Sequence, residues 1–331
     1  MTDPGRVVVL GGSGFLGRHI AAAFAATGRE VLAVSRNPRS GPHRVRHLAM
    51  DLCTEEPPQR LGRVLRDVHP AVVVNAVGVI WAADERALAQ TNTRTAQQVV
   101  EGVAALPYRP RLLHIGTVYE HAPSPLGKAT GVDTPELPIS AYGRTKLLGS
   151  RAVLNATADG RVDGAVLRPS VVVGPGIASH SLLGRVADEL AGMREGGSVV
   201  LRPGHLSGRR DFIDVRDVAA AVVAAASAMV TGQVIPLGRG EAVPVRRLVE
   251  MLVAVSGMPA VVEETVQERT VPARRSGADW LCVDISTAQR TLGWRPSVSL
   301  EDSVRSLWEE RTSPGTTRPV PAGEHPAPRP A

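Results

Sequence analysis

The feature that most constrains the fold is the glycine-rich segment from Gly11 to Gly17, which directly follows the apolar run Val7–Leu10. A helix-like sequence begins within this segment. In such a strand–glycine–helix order, Gly11 permits a tight turn, Gly14 lets backbone N–H groups approach a pyrophosphate, and Gly17 lets the helix pack closely on the strand. The pattern predicts a dinucleotide site formed by Gly11, Ser13, Gly14, Phe15, Leu16 and Gly17.

Strand-like and helix-like patterns alternate over the first half of the chain. Helices are predicted near residues 15–28, 84–106 and 140–158, and strands at 6–10, 30–35, 45–49, 71–75, 111–115 and 164–167. This alternation is typical of an α/β fold in which a doubly wound parallel sheet of the Rossmann type is covered by helices.

The pattern changes after Gly174, where the predicted helices and strands become shorter. We therefore predict a smaller C-terminal substrate-binding domain beside the dinucleotide-binding one. A Pro-rich tail without apolar periodicity is expected to be disordered. The predicted boundaries are 1–176 for the Rossmann domain, completed by 212–235, then 177–211 with 236–311 for the second domain, and 312–331 for the tail.

A tyrosine and a lysine lie one helical turn apart, at Tyr142 and Lys146, so that both project from the same helix face. A phenol beside an ammonium group can have a lowered pKa, which suits proton transfer to a carbonyl. Lysine is rare in this chain, since Lys128 is the other one in the sequence. The alternative reading is a solvated pair on an exposed helix face.

Composition excludes several classes of protein. The net charge is +6, but the arginines are scattered and no basic segment is rich in aromatics, so no nucleic-acid partner is expected. Cys53 and Cys282 suggest neither a disulfide framework nor a metal site. The apolar run 218–230 is too short to cross a bilayer, and no signal-peptide pattern is present, so no membrane association and a cytoplasmic location are expected.

Further segments carry motifs that resemble those of the extended short-chain dehydrogenases/reductases. The resemblance covers roughly residues 6–310, and these Rossmann-fold enzymes mostly act on nucleotide sugars. It implies that Thr117 holds the substrate carbonyl, that Tyr142 is the proton donor, and that Lys146 lowers the Tyr142 pKa and binds the cofactor ribose. The cofactor contacts that it implies are Asp51, Leu52, Ala76, Val77, Gly78, Asn92, Tyr142, Lys146, Pro169 and Ser170.

The same resemblance implies a nucleoside-diphosphate keto sugar as substrate. Segments 209–218 and 274–277, with the later Gly-Trp-Arg-Pro at 293–296, are similar to the signature of nucleotide-sugar enzymes. Val171 replaces an Asn that the family often carries, so any diphosphate contact from that residue is lost or moved. The helices with Asn92 and Tyr142 pair subunits in the family, which implies a homodimer. The implied substrate contacts are Thr117, Val118, Tyr119, Arg210 and Arg275.

The end of the second predicted strand bears on cofactor choice. An NAD-preferring site usually has a carboxylate there, which binds the ribose 2′-OH and repels a 2′-phosphate. This chain instead has Ser35, Arg36 and Asn37. A hydroxyl and a guanidinium can bind a phosphate, so NADPH is expected in preference to NADH.

The reaction type follows from what comes after Thr117. In the 4,6-dehydratases of the family, the matching Thr is followed by an Asp and a Glu, whereas here Val118 and Tyr119 follow. The sequence therefore favours the 4-ketoreductases that complete dTDP-activated 6-deoxysugars. The alternatives are an NAD-dependent nucleotide-sugar 4-epimerase, a 4,6-dehydratase, a dinucleotide-sensing binding protein, or a purely structural dimer subunit.

Overall fold

A seven-stranded parallel sheet forms the centre of the protein. The computed structural model describes residues 5–38, 42–54, 57–193, 199–204, 206–264 and 279–313. The strands are β1 (Val7–Leu10), β2 (Val31–Ser35), β3 (Val45–Ala49), β4 (Val72–Asn75), β5 (Arg111–Ile115), β6 (Asp163–Pro169), β7 (Val171–Val173), β8 (Val199–Leu201), β9 (Arg209–Asp214), β10 (Val234–Leu237), β11 (Ala242–Pro244) and β12 (Ala260–Val262).

The central sheet has the strand order β10-β6-β5-β4-β1-β2-β3, and every neighbouring pair is parallel. The six strands predicted from the sequence all lie in it, and the Rossmann-type α/β fold is confirmed. Two smaller sheets have the orders β11-β9-β7 and β12-β8. Because the carboxyl ends of parallel strands share one edge, the glycine segment after β1 and the polar residues after β4 and β5 meet there.

Helices cover both faces of the central sheet. They are α1 (Phe15–Ala26), α2 (Pro57–Val68), α3 (Glu85–Ala89), a π-helical turn (Gln90–Arg94), α4 (Thr95–Ala104), a 3₁₀ turn (Val118–Glu120), α5 (Ala141–Ala158), α6 (Leu182–Ala191), α7 (Val215–Ala225), α8 (Val245–Ser256), α9 (Ser286–Leu292) and α10 (Leu300–Thr312). Three of them, α6, α8 and α10, pack around a separate core, which we call the second layer. The predicted helices near 15–28, 84–106 and 140–158 are present.

Alternation along the strands produces an apolar layer on each face of the sheet. In β1, Val7 and Val9 pack with α1 and α7 on one face, while Val8 and Leu10 pack on the other with helices that include α2, α4 and α5. Helix α2 was not predicted. Its buried Leu61 and Leu65 lie one helical turn apart and were the available signal.

The packing differs from the predicted domain division at several places. Strand β7, which lies within the predicted Rossmann domain, pairs with β9. The boundary predicted at residue 212 falls inside β9, which runs from Arg209 to Asp214. Helix α9 was predicted in the substrate domain, yet its Ala288 and the following Trp294 lie in the core of the central sheet. The indole N–H of Trp294 donates to the Asp217 carbonyl on α7, 3.0 Å away, which explains this placement.

The second layer has its own apolar core, formed where α6, α8 and α10 pack together. Helix α10 continues to Thr312, so the first residue of the predicted tail is helical. Residues 314–331 lie outside the described part, and disorder there stays a prediction. No helix in the described ranges has the length and apolar character needed to cross a membrane.

A polar clamp joins the glycine-rich segment to this second layer. Arg18, on α1, donates to the Pro175 carbonyl at 3.0 Å and pairs with Glu310 of α10 at 2.9 Å. His19 lies 2.9 Å from the same carbonyl. A side chain at Gly176 would collide with the Arg18 guanidinium, so a glycine is required beside the clamp.

Candidate functional site

The glycine-rich segment forms a tight cradle between β1 and α1. Gly11 has a φ of +79°, which favours glycine, and a Cβ there would lie 2.9 Å from the Ala76 carbonyl. A Cβ on Gly17 would collide with the Gly11 carbonyl oxygen. Gly14 caps the start of α1 without a side chain. The cradle therefore presents backbone and a helix N-terminus, which fits the pyrophosphate of a dinucleotide.

The other residues of this segment that were predicted to bind the cofactor differ in burial and in the core against which they pack. Ser13 is half-buried, Leu16 packs against the core of the central sheet, and Phe15 packs against the core of the second layer. Phe15 thus lies where the two layers meet. These contacts fix the start of α1 and keep the cradle in place.

The end of β2 carries polar groups suited to an adenosine ribose. Ser35 is buried, and its hydroxyl has no hydrogen-bond partner within the described residues. Arg36 and Asn37 follow and are exposed. A buried hydroxyl without a partner is unfavourable, and a ligand oxygen would remove that cost. Asp51 and Leu52 lie beyond the neighbouring β3, with Asp51 exposed and Leu52 buried in the core.

The segment after β4 faces this cradle from the other side. Ala76 and Val77 contact Gly11, and a Cβ on Gly78 would lie 3.5 Å from the Lys146 Nζ. The Asn75 amide holds this turn by accepting from the Val77 N–H at 3.2 Å. The predicted cofactor residues of β1 and β4 are therefore brought to one cleft, with Lys146 at its floor.

Asn92 was predicted to bind the cofactor, but its side chain is fully engaged with the protein. Its Oδ1 accepts from the Val79 N–H at 2.9 Å, and its Nδ2 donates to the Val79 carbonyl and to the Thr145 hydroxyl. Asn92 is also buried, in the π-helical turn. These bonds fix the segment after β4 against α5, and the contact of Asn92 with the cofactor stays a prediction.

Thr117, Tyr142 and Lys146 come together at the carboxyl end of β5. Thr117 is buried and interacts with the Tyr142 phenol, and the Lys146 Nζ donates to the Ile115 carbonyl at 2.6 Å. Ser140 caps α5 by accepting from the Gly143 N–H at 3.0 Å. A side chain at Gly143 would collide with the Tyr119 carbonyl oxygen, so this glycine lets α5 approach the site closely.

The electrostatics of the pair differ from the sequence expectation. Burial raises the pKa of the Tyr142 phenol, the Thr117 hydroxyl opposes this rise, and Glu120 adds to it. Burial also lowers the pKa of the Lys146 ammonium to about 8, and Glu120 opposes that shift. The net shift of the Tyr142 pKa is upward because desolvation dominates at the phenol, while the Lys146 ammonium bonds the Ile115 carbonyl. That Lys146 stabilises the phenolate form of Tyr142 stays a prediction.

A buried ion cluster that was not predicted lies beneath these residues. Arg168 is 1% exposed, and its Nε donates to the fully buried Glu120 at 2.7 Å. Its two other nitrogens contact His121 at 2.9 Å and Glu136. The spacing Thr117-x-x-Glu120 is a capping box, which was the sequence signal available for Glu120. Its partner Arg168 lies 48 residues away and has no local signal.

Pro169 and Ser170, also predicted to contact the cofactor, end β6 and begin the crossing to the second layer. Ser170 is buried and donates to Asp211 at 3.2 Å. Asp211 also accepts from the backbone N–H groups of Arg239, Gly240 and Val283. Burial raises the pKa of Asp211 to about 6, and these four donors oppose the shift. The Ser170 side chain thus ties the two layers together.

The residues predicted to bind substrate have different outcomes. Tyr119 is half-buried beside the site, whereas Val118 packs its side chain with Leu281 and Val283 and is 2% exposed. The predicted contact of the Val118 side chain is therefore not favoured. Arg210 is half-buried on β9 and donates to the Arg209 carbonyl at 3.0 Å. Arg275 lies outside the described residues.

An aromatic contact between Trp81 and His180 was also not predicted. Trp81, two residues after the Val79 that Asn92 bonds, is 49% exposed. Its ring meets the His180 ring edge-on, with the centroids 5.6 Å apart. His180 belongs to the loop before α6. Among the described residues, no group of His, Cys, Asp and Glu side chains could hold a metal ion.

Comparison with known proteins agrees with this geometry. Residues 7–238 match the NAD dependent epimerase/dehydratase family. The dTDP-6-deoxy-L-talose 4-dehydrogenase (NAD(P)(+)) of Kitasatospora kifunensis is 36% identical over 316 residues, which cover 94% of this chain and 97% of that protein.

Solved structures share the fold at lower identity. The structure of RMD from Pseudomonas aeruginosa complexed with NADPH has a TM-score of 0.75 at 20% identity, covering 93% of this chain and 99% of that one. The UDP-glucose 4-epimerase of Thermus thermophilus, in complex with NAD, has a TM-score of 0.79 at 21% identity, covering 92% and 98%. The chain therefore belongs to the NAD dependent epimerase/dehydratase family of extended short-chain dehydrogenases/reductases and is an NAD(P)-dependent enzyme.

Proposed function

We propose that the protein reduces the C4 keto group of a nucleoside-diphosphate 4-keto-6-deoxyhexose, with dTDP as the expected nucleotide and NADPH as the reductant. The observation that carries this is the meeting of Thr117, Tyr142 and Lys146 at the edge of the cofactor cradle. The Kitasatospora kifunensis relative is named as a dTDP-6-deoxysugar 4-dehydrogenase, and oxidation at C4 is the reverse of the proposed reduction.

The proposed roles follow from the protonation states. The raised pKa keeps the Tyr142 phenol protonated at neutral pH, which suits a proton donor to the developing C4 alkoxide. The Thr117 hydroxyl beside it orients the carbonyl oxygen toward that proton. With its pKa near 8, Lys146 is mostly an ammonium at pH 7 and stabilises the phenolate that donation leaves behind. When bound, the dinucleotide supplies the hydride.

Dehydration is disfavoured by the groups next to Thr117. Elimination of water needs a free acid and base at the sugar, and Val118 and Tyr119 occupy the positions that supply them in the 4,6-dehydratases. Glu120 does not replace them, because its carboxylate is fully buried between the Thr117 N–H and Arg168. The 4-epimerase remains the second candidate, favoured by the resemblance of the fold to UDP-glucose 4-epimerase.

The substrate diphosphate is assigned to Arg210 and Arg275, as proposals. A guanidinium binds a diphosphate with paired hydrogen bonds. Arg210 lies half-buried on β9, and one of its guanidinium nitrogens donates to the backbone carbonyl of the preceding residue, Arg209.

The reaction is tested by incubating the purified protein with dTDP-4-keto-6-deoxy sugars and a nicotinamide cofactor. We expect one NADPH to be oxidised per sugar, with the C4 ketone becoming a hydroxyl, as read by absorbance and NMR. A control without sugar should show no oxidation. Interconversion of sugar epimers without net oxidation of NADPH would instead establish the epimerase.

Cofactor preference is proposed from the end of β2. The buried Ser35 hydroxyl has no partner among the described residues, and the exposed Arg36 can bind a 2′-phosphate. We expect kcat/KM to be higher with NADPH than with NADH, and Arg36→Ala to lower that ratio about tenfold. Arg161→Ala is the matched control, since that arginine is exposed and lies just before β6, at the opposite end of the central sheet. An unchanged ratio in Arg36→Ala would contradict this assignment of the 2′-phosphate site.

A homodimer is proposed through the outer face of α5. Leu148 on this helix is 51% exposed, and Leu137 and Ile139 just before it are 67% and 58% exposed. Pairing of two copies would remove this apolar surface from water. Sedimentation velocity should show twice the mass of one chain, reduced to one chain by Leu148→Glu. A wild-type protein that sediments as a monomer would contradict this.

A further inference from the structure

The turn that carries Thr117 is held by a carboxylate in an unusual place. In the capping box of the 3₁₀ turn, the Thr117 N–H donates to the Glu120 Oε1 at 2.9 Å. Capping boxes usually lie at solvent-exposed helix ends, where the acidic side chain is hydrated. Here Glu120 is 0% exposed, and its second oxygen accepts from the Arg168 Nε at 2.7 Å. The carboxylate thus links the backbone of Thr117 to a fixed guanidinium.

The neighbouring glycine is matched to this carboxylate. A Cβ on Gly116 would lie 2.5 Å from the Glu120 Oε1 and 3.1 Å from the Ser150 Oγ. Gly116 itself has an ordinary extended position, since its N–H donates to the Leu167 carbonyl at 2.8 Å in the sheet. Glycine is therefore required here to leave room for the buried carboxylate rather than for its backbone conformation.

The charge of Glu120 also acts on the neighbouring titratable groups. The charged and titratable groups around it are Arg168 on β6, Tyr142 and Lys146 on α5, His114 on β5, and His121 and Glu136 on the following loop. Burial keeps His114 and His121 neutral by lowering their pKa values. The Glu120 carboxylate accepts from the Thr117 N–H, and the Lys146 ammonium donates to the Ile115 carbonyl, so both charges bind the same three-residue segment 115–117. At this position Glu120 opposes the desolvation of Lys146 and raises the pKa of that ammonium.

We propose that Glu120 is a positioning residue of the active site, which fixes Thr117 beside Tyr142 and holds the positive charge on Lys146. The expected effects on kcat and on the pH–rate profile rest on the proposed function, whereas the position of Glu120 and its effect on Lys146 do not. The carboxylate does not touch the sugar, because both of its oxygens are occupied within the protein.

The kinetic test compares Glu120→Gln with Glu136→Gln in the wild-type background. Both variants remove one carboxylate from Arg168, but Glu136 contacts neither Thr117 nor Lys146. The one oxygen of a Gln amide cannot accept from both the Thr117 N–H and the Arg168 Nε, so Glu120→Gln loses one of these bonds and displaces Thr117. We expect this variant to lower kcat about a hundredfold with KM within about twofold, because a displaced Thr117 misorients the carbonyl. The alkaline limb of its pH–rate profile should move to lower pH, since the Lys146 ammonium is lost sooner. Glu136→Gln should keep the wild-type profile.

A second variant keeps every charge. Gly116→Ala places a methyl group against the Glu120 carboxylate, and we expect it to lower kcat in the same way as Glu120→Gln. If Glu120→Gln does not fold, this variant still decides the kinetic question. A Gly116→Ala protein with wild-type kcat and pH profile would overturn the positioning role.

A measurement without turnover separates this inference from the proposed function. The chain has two lysines, so protein labelled with ¹³C-lysine gives two side-chain signals, from Lys128 and Lys146. We expect the titration midpoint of Lys146 to lie lower in Glu120→Gln than in wild type, while Lys128 is unchanged. A midpoint that Glu120→Gln does not move would overturn the inference. A wild-type protein inactive on keto sugars would refute the function and leave this titration to decide the role of Glu120.

Discussion

Tyr142→Phe is expected to lower kcat by about 10²–10⁴-fold, the usual contribution of a general acid, while NADPH still binds. The substitution removes one oxygen from a half-buried ring and leaves the packing of α5 intact. The phenol whose pKa burial raises is the proton donor in the proposed reaction, and it interacts directly with the Thr117 hydroxyl.

The measurement is steady-state reduction of the keto sugar together with titration of NADPH fluorescence. Tyr108→Phe is the matched control, since that phenol donates to the Leu65 carbonyl at 2.8 Å, away from the site. Activity in Tyr142→Phe near the wild-type level would remove Tyr142 from the mechanism. Loss of NADPH binding would show instead that the residue holds the cofactor.

The second large effect concerns stability. Arg168→Met should lower the free energy of unfolding by about 3–5 kcal/mol, because Glu120 would stay buried without its cationic partner. Urea denaturation measures this loss directly. Arg202→Met is the comparison: its ion pair with Glu263 is more than half exposed, and pairs of that kind contribute about 1 kcal/mol or less.

The double variant Arg168→Met with Glu120→Gln should recover part of the lost stability, since it no longer buries an uncompensated charge. Equal losses in Arg168→Met and Arg202→Met would show that the buried cluster contributes no more than a surface pair. In that case the cluster would position the turn that carries Thr117 without stabilising the fold.

Local signals predicted what depends on neighbours along the chain. The turn at Gly11, the strand pattern of β1 and the helical spacing of Tyr142 and Lys146 each specify geometry within a few residues, and the structure places them as expected. Helix α2 was missed because its apolar repeat is short, with Leu61 and Leu65 as its buried leucines.

Long-range pairing could not be predicted in this way. Arg168 meets Glu120 only because β5 and β6 lie side by side, and nothing near either residue in the sequence indicates the partner. The same holds for Asn92, whose amide bonds Val79 and Thr145, the second of which lies 53 residues away. The direction of the Lys146 side chain depends on the Ile115 carbonyl, which is 31 residues away.

The clamp between Arg18, Pro175 and Glu310 restricts how this enzyme can be recombined with its relatives. Exchanging only the dinucleotide-binding half at the predicted boundary after Gly176 would pair a foreign α1 with the native α10. The arginine that fills the space beside Gly176 and its carboxylate partner would then come from different parents. A functional chimera must therefore inherit α1, the Pro175–Gly176 turn and the end of α10 as one block, although Arg18 and Glu310 lie 292 residues apart in the chain.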